Sequence, residues 1–182
     1  MLPAIFLDRD GVIIANQANY VRSWEDVQIL PGALAALARL NYTKFKVIIV
    51  TNQSAIGRGL ITLQTAEDIN QRLAAEIKHA GARVDAIYMC PHQPEDGCSC
   101  RKPHPGLILK AAQDLSIDLR HSLLIGDALD DLRAGCAAGV GEVALVLTGR
   151  GAQQILTPEA EKLKPFRTFI NLAEAVDQLL SK

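Results

Sequence analysis

The sequence has few aromatic residues, almost no net charge and no long apolar run. Phe, Trp and Tyr together make up 4% of the 182 residues, and the formal net charge at pH 7 is -1. Both values argue against a protein that binds nucleic acid through a basic surface or through stacked aromatic side chains. No apolar run approaches the ~20 residues that a membrane-spanning helix needs.

The amino terminus also lacks the pattern of a secretory signal. It has no basic leader, and its apolar run ends at Asp8. We therefore expect a cytoplasmic protein that binds neither nucleic acid nor membrane, with a monomer as the default. With 49% hydrophobic residues, the chain is long enough for one ordinary core, so we predict a single domain over residues 1–182.

Short apolar runs rich in β-branched residues alternate with helical patterns. The apolar runs lie at 4–8, 46–51, 84–89, 122–127 and 142–148. The helical patterns lie at 31–41, 65–81, 105–115, 130–139, 157–164 and 171–180. Nearly continuous hydrophobicity is typical of strands that are covered on both faces. The order predicts an α/β fold with a Rossmann-like parallel sheet flanked by helices, without an insertion long enough for a large cap domain.

Two aspartates, Asp8 and Asp10, follow the first apolar run in the stretch FLDRDGV (6–12). Side chains two residues apart point to the same side of a strand, so both carboxylates can face one pocket. Close carboxylates repel each other unless one binds a proton or a cation neutralises them. The pair suits a nucleophile beside a general acid/base and a hard metal ion, and a solvated turn with two incidental charges fits equally well.

The second apolar run ends in a polar loop. Thr51 offers a hydroxyl group to an anion, and the loop continues with Asn52, Gln53 and Ser54. An ordinary turn between a strand and a helix would have the same composition. Ligands of parallel sheets bind beyond the carboxyl ends of the strands, which is where both this loop and the aspartate pair lie.

Two more segments carry charged residues that could belong to the same site, one basic and one acidic. Arg101 and Lys102, in CRKPHPG (100–106), suit phosphoryl oxygens, although most basic pairs are solvated surface. Asp127 ends the fourth apolar run, and the acids that follow it, Asp130 and Asp131, can be explained as charges at a helix amino terminus. The segment after Thr148 carries no chemical motif.

A cluster of cysteines predicts a metal site. Cys90, His92, Cys98 and Cys100 lie within eleven residues of one another, in CPHQPEDGCSC. Three thiolates and one imidazole form the closed tetrahedral set that structural Zn²⁺ prefers, and a reducing compartment disfavours disulfides. We predict a zinc-binding loop at 90–100 that also directs Arg101 and Lys102, against the alternative of reduced, merely buried cysteines.

Four motifs, taken in order, resemble the haloacid dehalogenase superfamily of phosphohydrolases. They are the aspartate pair at 8 and 10, the loop that begins at Thr51, the basic pair at 101 and 102, and the acidic residues from 127 to 131. The resemblance implies that Asp8 is the nucleophile, which forms an aspartyl-phosphate, and that Asp10 is the general acid and then the general base. It implies that Thr51 and Lys102 hold the transferring phosphoryl group. It also implies a Mg²⁺ ion bound by Asp8, by the backbone carbonyl of Asp10 and by Asp127.

Within this superfamily, a zinc loop followed by RKP resembles two groups of phosphatases, which act on heptose 1,7-bisphosphate and on histidinol phosphate. The stretch CRKPHPG favours the heptose group, in which the 7-phosphate is removed during the synthesis of nucleotide-activated heptose. Relatives often carry a lysine where this chain has Ala128, which leaves the exact sugar open.

By position, the expected substrate contacts are Asn19, Tyr20, Asn52, Gln53, Ser54 and Arg101. A third possibility is a zinc-stabilised binding protein with an inactive phosphatase site. The presence of every expected catalytic residue argues against it.

Overall fold

One parallel sheet organises the chain. The structure is a computed structural model that describes residues 1–180, and within them six strands form a single sheet in the order β3-β2-β1-β4-β5-β6. All neighbouring strands in this sheet are parallel. The strands are β1 (Ala4–Leu7), β2 (Lys46–Asn52), β3 (Ala86–Cys90), β4 (Leu123–Gly126), β5 (Glu142–Val146) and β6 (Arg167–Phe169).

Helices cover both faces of this sheet. They are α1 (Ala33–Arg39), α2 (Ser54–Gly57), α3 (Leu63–His79), α4 (Gly106–Leu115), α5 (Leu129–Ala138), α6 (Gly151–Gln154), α7 (Pro158–Leu163) and α8 (Leu172–Leu180). Alternate residues of β1 enter different cores: Ile5 and Leu7 pack with α1, α3 and α8, whereas Ala4 and Phe6 pack with α4 and α5. Burial on both faces explains why β1 is apolar at every position.

The order of the strands creates a crevice beside β1. The chain runs from β1 through β2 to β3 on one side, and then returns to β4 on the other side of β1. Asp8, directly after β1, donates its backbone N–H to the Ile125 carbonyl of β4 at 3.1 Å. A reversal of strand order is where open α/β sheets bind their ligands, at the carboxyl ends of the strands.

The fold class predicted from the sequence is confirmed, and so are the five apolar runs as strands. The sixth strand was missed, because β6 is only three residues long and begins with Arg167 and Thr168 at the edge of the sheet. Between β1 and α1, residues 8–32 contain a short 3-10 turn at Trp24–Asp26 and no cap-sized insertion. Among residues 1–180, no helix combines the length and the apolarity needed to cross a bilayer.

Candidate active site

Three buried carboxylates meet at the crevice. Asp8 follows β1, Asp127 follows β4, and Asp131 lies in the first turn of α5. Each residue has one carboxylate oxygen that lies within 4.8 Å of a carboxylate oxygen of the other two. All three residues are at most 5% exposed. The prediction that residues 8 and 127 lie at one site therefore agrees with the geometry, and Asp131 joins them.

The acidic pair that begins α5 has two different environments. Asp130 is exposed and pairs with Arg133 at 3.0 Å, as expected of a charge on a helix surface. Asp131 is buried, and its Oδ2 accepts the Ala128 N–H at 3.0 Å. A side chain on residue 126 would overlap the Asp131 carboxylate, so glycine there allows the close approach.

Lys102 supplies the positive charge between these carboxylates. Its Nζ lies 2.9 Å from Asp8 Oδ1 and 2.5 Å from Asp131 Oδ1, and it donates to the Val50 carbonyl at 2.8 Å. These three contacts account for all three ammonium hydrogens. Burial alone would lower the pKa of Lys102, but the carboxylates of Asp131 and Asp8 outweigh it and raise the pKa above its usual range. The side chain therefore stays charged.

Asn52 holds the backbone of Lys102. Its Nδ2 donates to the Lys102 carbonyl at 3.0 Å, and its Oδ1 accepts the Lys102 N–H at 3.1 Å. The amide thus pairs with a peptide unit on a segment that has no regular structure of its own. Asn52 was expected to contact substrate, and it also borders the cavity described below, but this reciprocal pair uses both ends of its amide.

The carboxylate cluster carries more negative charge than Lys102 neutralises. Burial raises the pKa of Asp8 to about 6, with the nearby Asp131 and Asp10 adding to the shift and Lys102 opposing it. Burial also raises the pKa values of Asp127 and Asp131. In addition, Asp127 Oδ1 is buried without a hydrogen-bond partner in the described structure. An orphaned carboxylate oxygen among buried acids fits a hard divalent cation such as Mg²⁺.

Asp10 directs its carboxylate away from this cluster. Its Oδ2 accepts from Gln53 Nε2 at 2.8 Å and from Arg9 Nε at 3.1 Å, and it lies 3.5 Å from the Thr51 hydroxyl. Gln53 Nε2 also lies 2.9 Å from Thr51 Oγ1. The polar loop after β2 therefore contacts the second aspartate directly, through side chains that were expected to contact substrate or phosphate.

A polar cavity of about 330 Å³ opens over the site. Five of the expected substrate contacts border it, namely Tyr20, Asn52, Gln53, Ser54 and Arg101, while Asn19 is exposed and does not. The cavity is also bordered by Asn16 and Gln17, from the loop after β1, and by two residues that the sequence did not indicate, Arg150 and Gln154.

The segment after β5 contributes to the site although it carries no motif. The Arg150 N–H donates to Asp127 Oδ2 at 2.9 Å, and its Nε lies 3.5 Å from the same oxygen. Gln154 Oε1 accepts the Leu129 N–H at 2.6 Å. β5 lies beside β4 in the sheet, so the chain leaving β5 passes next to the residue that ends β4.

The cysteine cluster converges as its spacing predicts. The three sulfurs of Cys90, Cys98 and Cys100 lie 3.1–3.6 Å apart, and His92 Nδ1 lies 3.3 Å from Cys100 and 3.6 Å from Cys90. Neighbouring sulfurs in a tetrahedral zinc site with bonds of about 2.3 Å lie about 3.8 Å apart, whereas a disulfide needs about 2.05 Å. The donor set and its spacing therefore fit Zn²⁺.

Comparisons with known proteins show to which class of protein the chain belongs. A family model described as HAD-hydrolase-like matches residues 99–175. D-glycero-beta-D-manno-heptose-1,7-bisphosphate 7-phosphatase of Bordetella bronchiseptica is 39% identical over 181 residues, which is 98% of each chain. The Escherichia coli enzyme of the same name is also 39% identical, over 88% of this chain and 85% of its own.

A solved structure agrees with these relatives. The crystal structure of the B. bronchiseptica D,D-heptose 1,7-bisphosphate phosphatase, complexed with magnesium and phosphate, superposes with a TM-score of 0.91 at 38% identity, and covers 99% of both chains. The fold and the site define a haloacid dehalogenase-like hydrolase. Within that class, the chain belongs to the family of the D-glycero-beta-D-manno-heptose-1,7-bisphosphate 7-phosphatases.

The first prediction concerns magnesium and pH. We expect Mg²⁺ to raise the melting temperature more at about pH 7.5 than at about pH 5. The raised pKa of Asp8, about 6, means that the folded protein binds this proton more tightly than the unfolded chain does. Without metal, ionisation of Asp8 therefore lowers stability as the pH rises through this pKa, and Mg²⁺ offsets the loss. At pH 5 the proton competes with the metal.

Thermal unfolding with excess chelator and with saturating Mg²⁺ measures this difference. A ligand at 100 times its Kd stabilises by about 2.7 kcal/mol, which is easily resolved. Asp127→Asn should remove most of the effect, whereas Asp130→Asn, which alters an exposed acid outside the cluster, should retain it. An equal or larger stabilisation at pH 5 would contradict the prediction.

The second prediction concerns zinc. We expect about one zinc per purified chain, and we expect Cys98→Ser to lower both zinc content and thermal stability, because the loop has few apolar contacts of its own. A loss of about 2 kcal/mol corresponds to ~4–8 °C in a chain of this size. Cys136→Ser is the matched control, since Cys136 is exposed and lies outside the cluster. Metal-free protein with an unchanged melting temperature would refute the site.

Proposed function

We propose that the chain is a magnesium-dependent phosphatase that removes the 7-phosphate of D-glycero-D-manno-heptose 1,7-bisphosphate. The observation that carries this proposal is the buried Asp8, held by Lys102 and backed by Asp127 and Asp131, beside a polar cavity at the switch point of the sheet. The named activity of relatives that match over most of the chain supplies the substrate.

Asp8 is the proposed nucleophile. Its carboxylate attacks the phosphorus while the bond from phosphorus to the sugar oxygen breaks, which gives an aspartyl-phosphate. The Arg9 N–H at 2.7 Å and Lys102 Nζ at 2.9 Å both contact Asp8 Oδ1 and fix that oxygen. Fixed donors of this kind lower the cost of orienting the reacting groups.

Asp10 is the proposed acid and base. It protonates the departing sugar oxygen, and it then takes a proton from the water that attacks the aspartyl-phosphate and releases inorganic phosphate. Its contacts with Gln53, Arg9 and Thr51 hold the carboxylate beside the cavity that the substrate enters. Proton transfer from a positioned side chain contributes ~10²–10⁴-fold.

The carboxylates of Asp8, Asp127 and Asp131 would hold the magnesium, together with the backbone carbonyl of Asp10. When bound, the ion supplies positive charge that neutralises the phosphoryl oxygens and the buried acids. Thr51 and Lys102 are the proposed phosphoryl contacts. Lys102 borders the cavity, and the buried Thr51 does not border it but contacts Asp10 and Gln53, which do.

The rest of the substrate would lie against the wall of the cavity. Tyr20, at the tip of the loop after β1, and Arg101, anchored to the His92 carbonyl at 3.1 Å, are the proposed contacts for the sugar and its second phosphate. Ala128 leaves that part of the wall uncharged, while Arg150 brings a cation to the same cavity. The zinc loop at 90–100 would hold Arg101 and Lys102 in place.

We place this activity in a cytoplasmic monomer formed by one domain over residues 1–182, which supplies an intermediate of nucleotide-activated heptose synthesis. The even charge balance supports the choice of a small-molecule substrate over nucleic acid or membrane.

The third prediction concerns the substrate. We expect kcat/KM for heptose 1,7-bisphosphate, measured as phosphate release from both anomers, to exceed that for histidinol phosphate by about 10²-fold. Binding a second phosphate brings charged contacts that histidinol phosphate lacks, and a few kcal/mol of such contacts give this factor. A higher value for histidinol phosphate would assign the chain to the alternative reaction.

The fourth prediction concerns the nucleophile. We expect Asp8→Asn to lower kcat by at least about 10³-fold, because an amide cannot form the acyl phosphate. The melting temperature should not fall greatly, because the variant also removes a charge whose burial is unfavourable. Asp114→Asn, an exposed aspartate paired with Lys110, is the matched control. Substantial turnover by Asp8→Asn, after exclusion of deamidation by mass spectrometry, would remove Asp8 from its role.

A further inference from the structure

The residue between the two catalytic aspartates is a fully buried cation. Arg9 is 1% exposed, and it is among the largest fully buried side chains of the described residues. Burial of a guanidinium group costs several kcal/mol unless it is paired, and an apolar side chain of similar volume at such a position is often as stable or more so. Stability alone therefore does not account for an arginine here.

The guanidinium group of Arg9 joins the active site to helix α3. Its Nε donates to Asp10 Oδ2 at 3.1 Å, and its Nη2 lies 3.1 Å from the same oxygen and 3.3 Å from Oδ1, so the fork reaches both oxygens of Asp10. Its Nη1 donates to Asn70 Oδ1 at 2.8 Å. Asn70 is itself 6% exposed, on the face of α3 that packs against the sheet, and its amide nitrogen lies 3.6 Å from Met89 Sδ. Arg9 and Asn70, the two residues that form this connection, are thus both buried inside the protein.

The fork fixes the plane of the Asp10 carboxylate. Oδ2 receives the contacts from Arg9 Nε, Gln53 and Thr51 and also lies 3.1 Å from Arg9 Nη2, whereas Oδ1 has one contact, with the same Nη2. Oδ1 is consequently the oxygen with capacity left to bind a transferable proton. A planar, forked cation determines orientation in a way that a single ammonium group does not.

We infer that Arg9 and Asn70 are positioning residues of the phosphatase reaction: Asn70 holds the guanidinium, and the guanidinium holds the Asp10 carboxylate with Oδ1 free for proton transfer. This inference rests on the proposed function. In the first step Asp10 gives its proton to the sugar oxygen as the bond from phosphorus to that oxygen breaks. In the second step Asp10 regains a proton from water as the water oxygen bonds to phosphorus and the bond from phosphorus to the Asp8 oxygen breaks, which releases phosphate and restores the Asp8 carboxylate.

The fifth prediction separates positioning from a structural role by the choice of leaving group. A sugar alkoxide needs a proton to depart, whereas p-nitrophenolate departs without one. Because kcat/KM reports steps only as far as formation of the aspartyl-phosphate, Arg9→Met should lower it by about 10²-fold for heptose 1,7-bisphosphate and by less than about 3-fold for p-nitrophenyl phosphate. With p-nitrophenyl phosphate, the variant should also release a burst of about one nitrophenol per chain, because the water step is slowed.

Three further variants make the test robust. Arg9→Lys should recover part of the loss, since one ammonium replaces the fork. Asn70→Leu should lower kcat/KM by about 10-fold for heptose 1,7-bisphosphate and by much less for p-nitrophenyl phosphate. This variant takes the place of Arg9→Met in the test if Arg9→Met does not fold. Arg83→Met is the matched control, because Arg83 also makes several hydrogen bonds, to Phe45, Leu40 and Asp85, but lies away from the cavity. For Arg83→Met, the ratio of the kcat/KM values for the two esters should equal that of the wild type.

The outcomes distinguish the inference from the proposal on which it rests. If the wild type hydrolyses neither ester, the proposed function fails, and the inference fails with it. If the wild type is active, and the Arg9 and Asn70 variants lose activity equally towards both esters or towards neither, the proposed function stands and the positioning role is overturned.

Discussion

The buried ammonium of Lys102 is the interaction on which the site depends. Asp8, Asp127 and Asp131 lie close together and away from water, and two unit charges about 4 Å apart repel by about 4 kcal/mol even at an effective dielectric constant of 20. Lys102 contacts two of the three carboxylates. Removal of one partner from a buried ion pair costs about 3–5 kcal/mol, so the carboxylates of Asp8 and Asp131 can approach as they do only with this cation in place.

The position of Lys102 is in turn set by features outside the sheet. The segment between β3 and α4 has little regular structure, and burial gives it little support, since most of its residues are half-buried or exposed. Two devices replace a core: the reciprocal hydrogen bonds with Asn52, and the convergence of Cys90, His92, Cys98 and Cys100. A site that needs a charge placed to within a fraction of an ångström thus relies on an amide pair and on a cluster of Cys and His side chains that fits a metal ion.

The sequence predicted the parts of the fold and site that depend on local pattern. Strand ends are marked by the change from apolar to polar residues, so Asp8, Thr51 and Asp127 could be placed at one edge of a parallel sheet, and regular spacing revealed the cysteine cluster. Arg150 could not be found in this way, because it acts partly through its backbone N–H and reaches the site only through the neighbouring position of β5. Asp131 carries a signal that is equally typical of any helix start, and only its burial separates it from Asp130.

Separate cations also suit the opposite tasks that are proposed for two aspartates only two residues apart. Asp8 shares the environment of Lys102 and the other buried acids, where a divalent ion would complete the charge balance. Asp10 turns out of that cluster and pairs with Arg9, whose own partner lies on α3. In the proposed reaction the nucleophile stays ionised while its neighbour exchanges a proton twice in each cycle. The nearest cations of the two carboxylates are different groups, while the charge of Asp10 still adds to the raised pKa of Asp8. This partial separation, more than the spacing of the pair, would let the motif carry out both proposed steps.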